Sequence, residues 1–207
     1  MRSFSREDID ALEKRFRSNL INSSTGFKPA NLIATVSDDG VENVAVFSSI
    51  VHLGAHPPLY GFILRPTTVP RHTYANIRQM GYYTLNAFTS TMVKDAHHTS
   101  AKYEESESEF DFTGLEAEYK NGFFAPYVKE CPLQIGMKYM NEYPIEENDT
   151  ILVVGTIVQL HVDENMLCDD GFVDLGKNAV VAINGLDGYA TPTMLQREAY
   201  ARPMTNK

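Results

Sequence analysis

Hydrophobic residues near the start of the chain recur every three to four positions: Ile9, Leu12, Phe16 and Leu20 stand among charged neighbours. That period predicts an amphipathic helix over 5–21, capped by Ser5 and packed on the fold as a lid. A polar loop holding Gly26 and Pro29 ends it. From there the period falls to two. Strands are expected at 32–37, 43–53, 59–64 and 82–88. Asp39-Gly40 is the hairpin turn between the first two, and the second is long enough to need a bend. Gly54 to Pro58 breaks it. A short helix at 73–80 closes on Gly81. Beyond it, 92–102 reads as a helix, and strands at 132–141 and 150–162 flank a polar turn of Glu146, Glu147, Asn148 and Asp149. A short strand at 172–175 and a helical piece at 194–197 complete the pattern.

These strands follow one another through hairpins and short turns. The alternating helices of a doubly wound sheet are missing, and no Gly-x-Gly-x-x-Gly follows a strand. The expected fold is mainly β with added helices, a closed or split antiparallel barrel. A chain of 207 residues is expected to form one domain, with 1–28 as helix and loop, 29–178 as barrel and 179–207 as tail. Composition, at 43% hydrophobic and 22% charged, is that of an ordinary soluble protein. The net charge of −9 disfavours broad binding to nucleic acid or to an anionic membrane, because both need a positive field. No apolar run is long enough for a transmembrane helix, and the N-terminal charges precede no signal-like core, so a cytoplasmic location is expected. Cys131 and Cys168 have no metal or redox spacing and read as idle thiols.

The stretch Arg65-Pro-Thr-Thr-Val-Pro-Arg71-His72-Thr73 leads from a strand into a helix. Helix starts attract anions, and the hydroxyls and guanidinium groups add donors, so this is the local candidate for a phosphate seat. An ordinary surface loop with a Thr cap is the plainer alternative. Ser48 and Ser49 adjoin on a strand and offer hydroxyls, either to a ligand or to solvent at a fraying end. Asn86 sits near the end of an apolar strand, where a buried amide must find backbone or ligand partners. His52, His56, His97 and His98 lack the spacing and acidic partners of a metal site, so no metal is expected. The acidic run Glu104, Glu105, Glu107 and Glu109 reads as a solvated face. No nucleophile elbow or Walker loop is present.

The order of the pieces resembles the flavin reductase-like family of FMN-binding split barrels. The resemblance is carried by the stretch from Asn43 to Ile50, by Pro57-Pro58-Leu59, and by the loop into Thr73-Tyr74-Ala75-Asn76-Ile77. It continues through Gly81-Tyr82-Tyr83-Thr84-Leu85-Asn86, the stretch from Phe110 to Leu115, Glu130-Cys131-Pro132-Leu133, and Gly155-Thr156-Ile157-Val158 before His161-Val162. It implies a six-stranded antiparallel split β-barrel that forms a homodimer and holds FMN near the subunit interface. Phe47, Ser48, Ser49 and Ile50 would line the phosphate or ribityl chain. Arg71 would replace the family's frequent lysine as phosphate cation, with Arg65 second to it and Thr73 beside it. His72 stands where many members have aspartate, and Ile50 replaces a frequent phenylalanine. Asn86 would approach the flavin, and Tyr189 would meet it from the tail, which is expected to wrap on the partner subunit. The implied chemistry is hydride transfer from NADH or NADPH to the flavin, for a small-molecule acceptor or a partner oxygenase. No firm catalytic side chain is implied, and His97 or His98 would flank the nicotinamide. A flavin-binding sensor or carrier without turnover shares the same binding residues. A decayed, purely structural module is the third reading, and the donor cluster speaks against it.

Overall fold

The computed structural model describes residues 1–203. The chain runs α1 (Arg6–Ala11), α2 (Lys14–Ser23), β1 (Lys28–Pro29), β2 (Asn31–Val36), β3 (Glu42–Phe47), β4 (Ile50–Ala55), β5 (Pro58–Leu64), α3 (His72–Met80), β6 (Tyr82–Ala87), α4 (Val93–His98), β7 (Ala117–Glu118), β8 (Tyr127–Val128), β9 (Leu133–Ile145), β10 (Thr150–Val162), β11 (Ala182–Asn184) and β12 (Gly188–Ala190). Short 3-10 turns lie at Ser90–Met92, Glu109–Phe112 and Leu175–Asn178.

Seven strands form one antiparallel sheet in the order β3-β2-β6-β9-β10-β5-β4. β3 and β4 are its two edges, yet only Ser48 and Ser49 separate them in sequence. Three Cα–Cα steps reach about 11 Å at most, whereas the edges of a flat seven-stranded sheet would stand about 29 Å apart. The sheet must therefore curl until its edges meet at the two serines, and the result is a split barrel. The strand expected over 43–53 is thus two strands on opposite edges, giving seven strands rather than six. Its alternation runs on through both serines, so the pattern carries no sign of the break.

Five strands and α3 fill the barrel interior. Ile33, Phe62, Leu64, Tyr83, Leu85, Ile135, Met137 and Val153 pack there with Ile77. A second core forms on the outer face, where Leu32, Ala34, Val44 and Phe88 meet Phe110, Leu115, Val128, Cys131, Val181 and Ile183 from the covering segments. β2 is buried on both faces as a result. Close cover requires small residues: a Cβ on Gly136 would lie 2.6 Å from the Tyr127 hydroxyl.

The expected N-terminal helix is two helices. Ser5 caps α1 through a capping box with Asp8. Leu12 then turns extended, and the Glu13 carboxylate accepts from the N–H groups of Arg15 and Phe16 to start α2. Neither helix buries a residue, so they are no lid over the core. The helix expected over 92–102 is confined to α4. In the tail, β11 and β12 form a hairpin that pairs with β1 as a three-stranded sheet. The helical piece expected at 194–197 is absent: the stretch is extended and exposed, and Arg197 reaches across to Asp170 and the Phe172 ring. The strand expected at 172–175 reduces to a bridge of Leu167 with Val173. Residues 204–207 of the expected tail lie outside the described residues. No described helix is long and apolar enough to cross a membrane.

Candidate functional site

The barrel seam and the start of α3 come together through one buried hydrogen-bond network. Thr73 would be a natural helix cap, but its hydroxyl donates to Asn43 Oδ1 on β3 at 2.8 Å. Asn76 Nδ2 donates to Thr35 Oγ1 on β2 at 3.0 Å. Asn43 Nδ2 donates in turn to Glu109 Oε2 at 2.7 Å, and the same oxygen accepts from the Val44 N–H at 3.0 Å. α3, two strands and the turn Glu109–Phe112 are pinned at one point. With Thr73 diverted, α3 begins at the N-cap Arg71 with no side-chain cap hydrogen bond. An uncapped helix start keeps its first N–H groups for another acceptor.

Glu109 was hidden in the sequence as one of an acidic run. Glu104, Glu105 and Glu107 are exposed, as expected of a solvated face, but Glu109 is 5% exposed. Burial raises its carboxyl pKa, opposed by its hydrogen bonds to Val44 and Asn43 and by the nearby His72. The neighbouring Phe110, itself buried in the outer core, was the signal that this end of the run turns inward.

The free edge of β3 shows what the two serines do. Val44 donates outward to Glu109, and Val46 donates outward to Thr99 Oγ1 at 2.9 Å. Alternate backbone N–H groups of a strand point the same way, so the N–H of Ser48, just past the end of β3, is the next in that row. The Ser48 hydroxyl makes no hydrogen bond among the described residues. Ser49 is committed instead: its hydroxyl donates to the Ile63 carbonyl at 2.8 Å, and its own carbonyl accepts from the Ile63 N–H at 3.3 Å. Phe47 and Ile50 on either side pack into the barrel interior, Phe47 edge-on to Phe62 at 5.4 Å.

The candidate cations stand on the loop between β5 and α3. Arg71 is half-buried and donates through Nε and Nη2 to the Pro66 carbonyl at 3.4 and 3.3 Å, which fixes the loop. Arg65 is exposed. Neither Arg65 nor His72 makes a side-chain hydrogen bond or ion pair among the described residues.

Tyr189 and His97 are brought together. Their Oη and Nδ1 atoms lie 3.0 Å apart, with the rings edge-on. Tyr189 packs on the same outer core as Val46, two residues before Ser48, and burial raises its phenol pKa. It is engaged by its own chain through the β11–β12 hairpin. His98 is paired separately with Tyr103 at 2.7 Å, and Tyr103 stacks on Phe112. Asn86 is fully buried and held by its own chain. It donates to the Leu32 carbonyl and Thr84 Oγ1, and it accepts from the Val128 N–H. Its side chain fastens the covering segment rather than facing the seam. Burial pushes the Cys131 thiol far up, as for an inert core cysteine.

A seven-stranded sheet closed on itself at two serines defines a split-barrel protein. Residues 26–176 match the sequence model of the flavin reductase like domain, and the chain belongs to that family. Among solved structures, a split-barrel protein of Shewanella frigidimarina NCIMB 400, provisionally assigned as a flavin reductase, is 47% identical with a TM-score of 0.94, over 97% of this chain and 100% of that one. Flavoredoxin of Desulfovibrio vulgaris (Miyazaki F) is 25% identical with a TM-score of 0.73, over 84% and 92%. Nitrilotriacetate monooxygenase component B from Bacillus cereus shares the fold at 21% identity and a TM-score of 0.82, over 96% and 98%. The chain is thus a flavin-linked oxidoreductase by family.

Proposed function

We propose that the chain binds FMN at the barrel seam and passes a hydride to it from NADH or NADPH. In this reading it works as a cytoplasmic homodimer and serves a small-molecule acceptor or a partner oxygenase. The observation that carries it is a set of donors without partners among the described residues, namely the Ser48 hydroxyl, Arg65 and the uncapped start of α3, with Arg71 on the loop between the last two. A phosphate monoester fits that set, because helix N–H groups and guanidinium forks both match its oxygens. The buried Glu109 carboxylate at the same end opposes an anion, and His72 offsets it.

The flavin ring, when bound, supplies the hydride-accepting chemistry. The protein's part is to bind and orient. The edge of β3 presents Ser48 in a row already fixed at Val44 and Val46, and the Tyr189–His97 pair walls that edge from the outer side. Both side chains are held by contacts within the chain, so the wall is formed before any ligand arrives. Support for a dimer comes from exposed apolar side chains on β4 and β10: Val51, Leu53, Val158 and Leu160 are 38–53% exposed. The whole chain acts as one domain in this reading, since the tail hairpin is tied to β1.

Titration of the purified protein with FMN, followed by anaerobic addition of NADH or NADPH, tests the reading. Bound flavin that bleaches with a nicotinamide is expected. Failure to bind FMN overturns it. Binding without bleaching by either nicotinamide removes the enzyme and leaves the carrier.

A further inference from the structure

The hydrogen bonds of the buried network beside α3 all run in one direction, toward Glu109. Asn76 Nδ2 donates to Thr35 Oγ1 at 3.0 Å, and the Thr35 hydroxyl turns to Asn43 Oδ1 at 3.5 Å. The Thr73 hydroxyl donates to the same Oδ1 at 2.8 Å, and Asn43 Nδ2 donates to Glu109 Oε2 at 2.7 Å. Thr35, Asn43, Thr73, Asn76 and Glu109 are each at most 7% exposed, so these groups must satisfy one another.

Glu109 sets the direction. An ionised carboxylate only accepts, an amide has one donating and one accepting end, and a hydroxyl serves either way. With its Nδ2 end given to Glu109, Asn43 shows its oxygen to α3, and Thr73 donates to it. An amide turned the other way would leave its oxygen against the carboxylate. The consequence falls on the first turn of α3. Thr73 fastens that turn to β3, and Asn76 behind it fastens the helix to β2, both through side chains. The backbone of the turn is not used. Its first helical bond runs from the Ala75 N–H to the Arg71 carbonyl at 2.9 Å. The N–H groups of His72, Thr73 and Tyr74 have no partner among the described residues.

We propose that Glu109 is a positioning residue for the phosphate of FMN: by orienting the Asn43 amide it holds the first turn of α3 in place with its N–H groups free. The proposal rests on the reading that FMN binds with its phosphate at this turn. Glu109 does not touch the ligand, and what it contributes is an accepting oxygen rather than a charge. Titration of the full chain with FMN and with riboflavin, the same flavin without the phosphate, tests it. Glu109→Met keeps most of the side-chain volume and cannot accept. Thr73→Val cuts the last link alone and serves if Glu109→Met fails to fold. Wild type is expected to prefer FMN to riboflavin. Each of these variants is expected to weaken FMN binding about tenfold and to leave riboflavin binding unchanged. Glu109→Gln, which can offer its amide oxygen to Asn43, is expected to bind FMN at least as tightly as wild type. The proposal is overturned if the folded variants keep wild-type FMN affinity, if both flavins weaken equally, or if Gln loses as much as Met. Wild type that binds FMN and riboflavin alike removes the phosphate from this turn and the proposal with it. Wild type that binds no FMN overturns the flavin reading itself.

Discussion

Two substitutions at Glu109 separate what its shape does from what its charge does. Both donors, Asn43 Nδ2 and the Val44 N–H, reach the same oxygen, Oε2. Glu109→Gln can place its amide oxygen there and keep both bonds without a buried charge. Glu109→Ala keeps neither. It leaves two buried donors unpartnered at about 1–3 kcal/mol each, a loss of roughly 2–6 kcal/mol before any relief from removing the carboxylate. For Glu109→Gln, the weakening from charged to neutral hydrogen bonds opposes the relief of desolvation, and the two are of similar size.

The pH dependence decides between these accounts. The folded-state pKa of Glu109 is raised above the ordinary 4.5, so the folded chain holds this proton more tightly than the unfolded chain does. Its contribution to stability is fullest below the unfolded value and is lost as pH rises through the folded pKa. Each tenfold change in proton affinity corresponds to about 1.4 kcal/mol. Urea unfolding of wild type and Glu109→Gln, from near the unfolded value up to neutral pH, should show the variant gaining on wild type as pH rises. Glu109→Ala should lie below both at acid pH, where the wild-type carboxyl is protonated. Parallel curves for wild type and Gln, or an Ala variant that unfolds at wild-type urea at acid pH, would refute the buried network as drawn.

The two serines should dissociate function from stability. Ser48→Ala should weaken FMN binding and leave unfolding within about 0.5 kcal/mol, whereas Ser49→Ala, measured the same way, should lose about 1 kcal/mol through its bond to Ile63. Arg71→Met should weaken FMN binding more than Arg65→Met does, and flavin titrations at two salt concentrations should show the Arg65 effect screened further, since Arg65 is the exposed one. Asn86→Leu should lose about 2–4 kcal/mol in urea unfolding, because it strips the Val128 N–H of its acceptor. Near-wild-type stability of that variant would mean the covering segment is held by other contacts.

Local pattern made some of this architecture legible and left the rest dark. The β9–β10 hairpin and the Asp39-Gly40 turn show themselves through alternation bounded by polar or glycine turns. Gly81 marks the end of α3, and there it adopts a left-handed φ of 76°. What stayed hidden depends on distant partners. β1 is two residues long, and only its pairing with β11, far along the chain, makes it a strand. Thr73 looks like a cap until Asn43 takes its hydroxyl. Asn86 declared itself as an amide in need of partners, but sequence could not say that Val128 would supply one. His161 shows in the sequence only as a landmark of the family resemblance, beside Val162. Its position is set by register, opposite Gln134, and register is a property of the assembled sheet.

The seam joins these threads. Closing an antiparallel sheet on itself requires a connection between its two edges, and here that connection is two residues long. So short a link cannot keep both residues within the hydrogen-bond ladder. Ser49 is drawn onto β5, which completes one edge, and Ser48 remains with the last outward position of the other. A hydroxyl without a partner among the described residues is therefore left over by the geometry of closure rather than added to it. Thr73 and Asn76 anchor the start of α3 farther along the same edge, to Asn43 on β3 and Thr35 on β2. Serine suits both places for one reason: its hydroxyl is small enough to turn either to a neighbouring strand or outward. A bulkier polar residue at 49 would strain the link to β5, and an apolar one at 48 would remove the free hydroxyl from the closure.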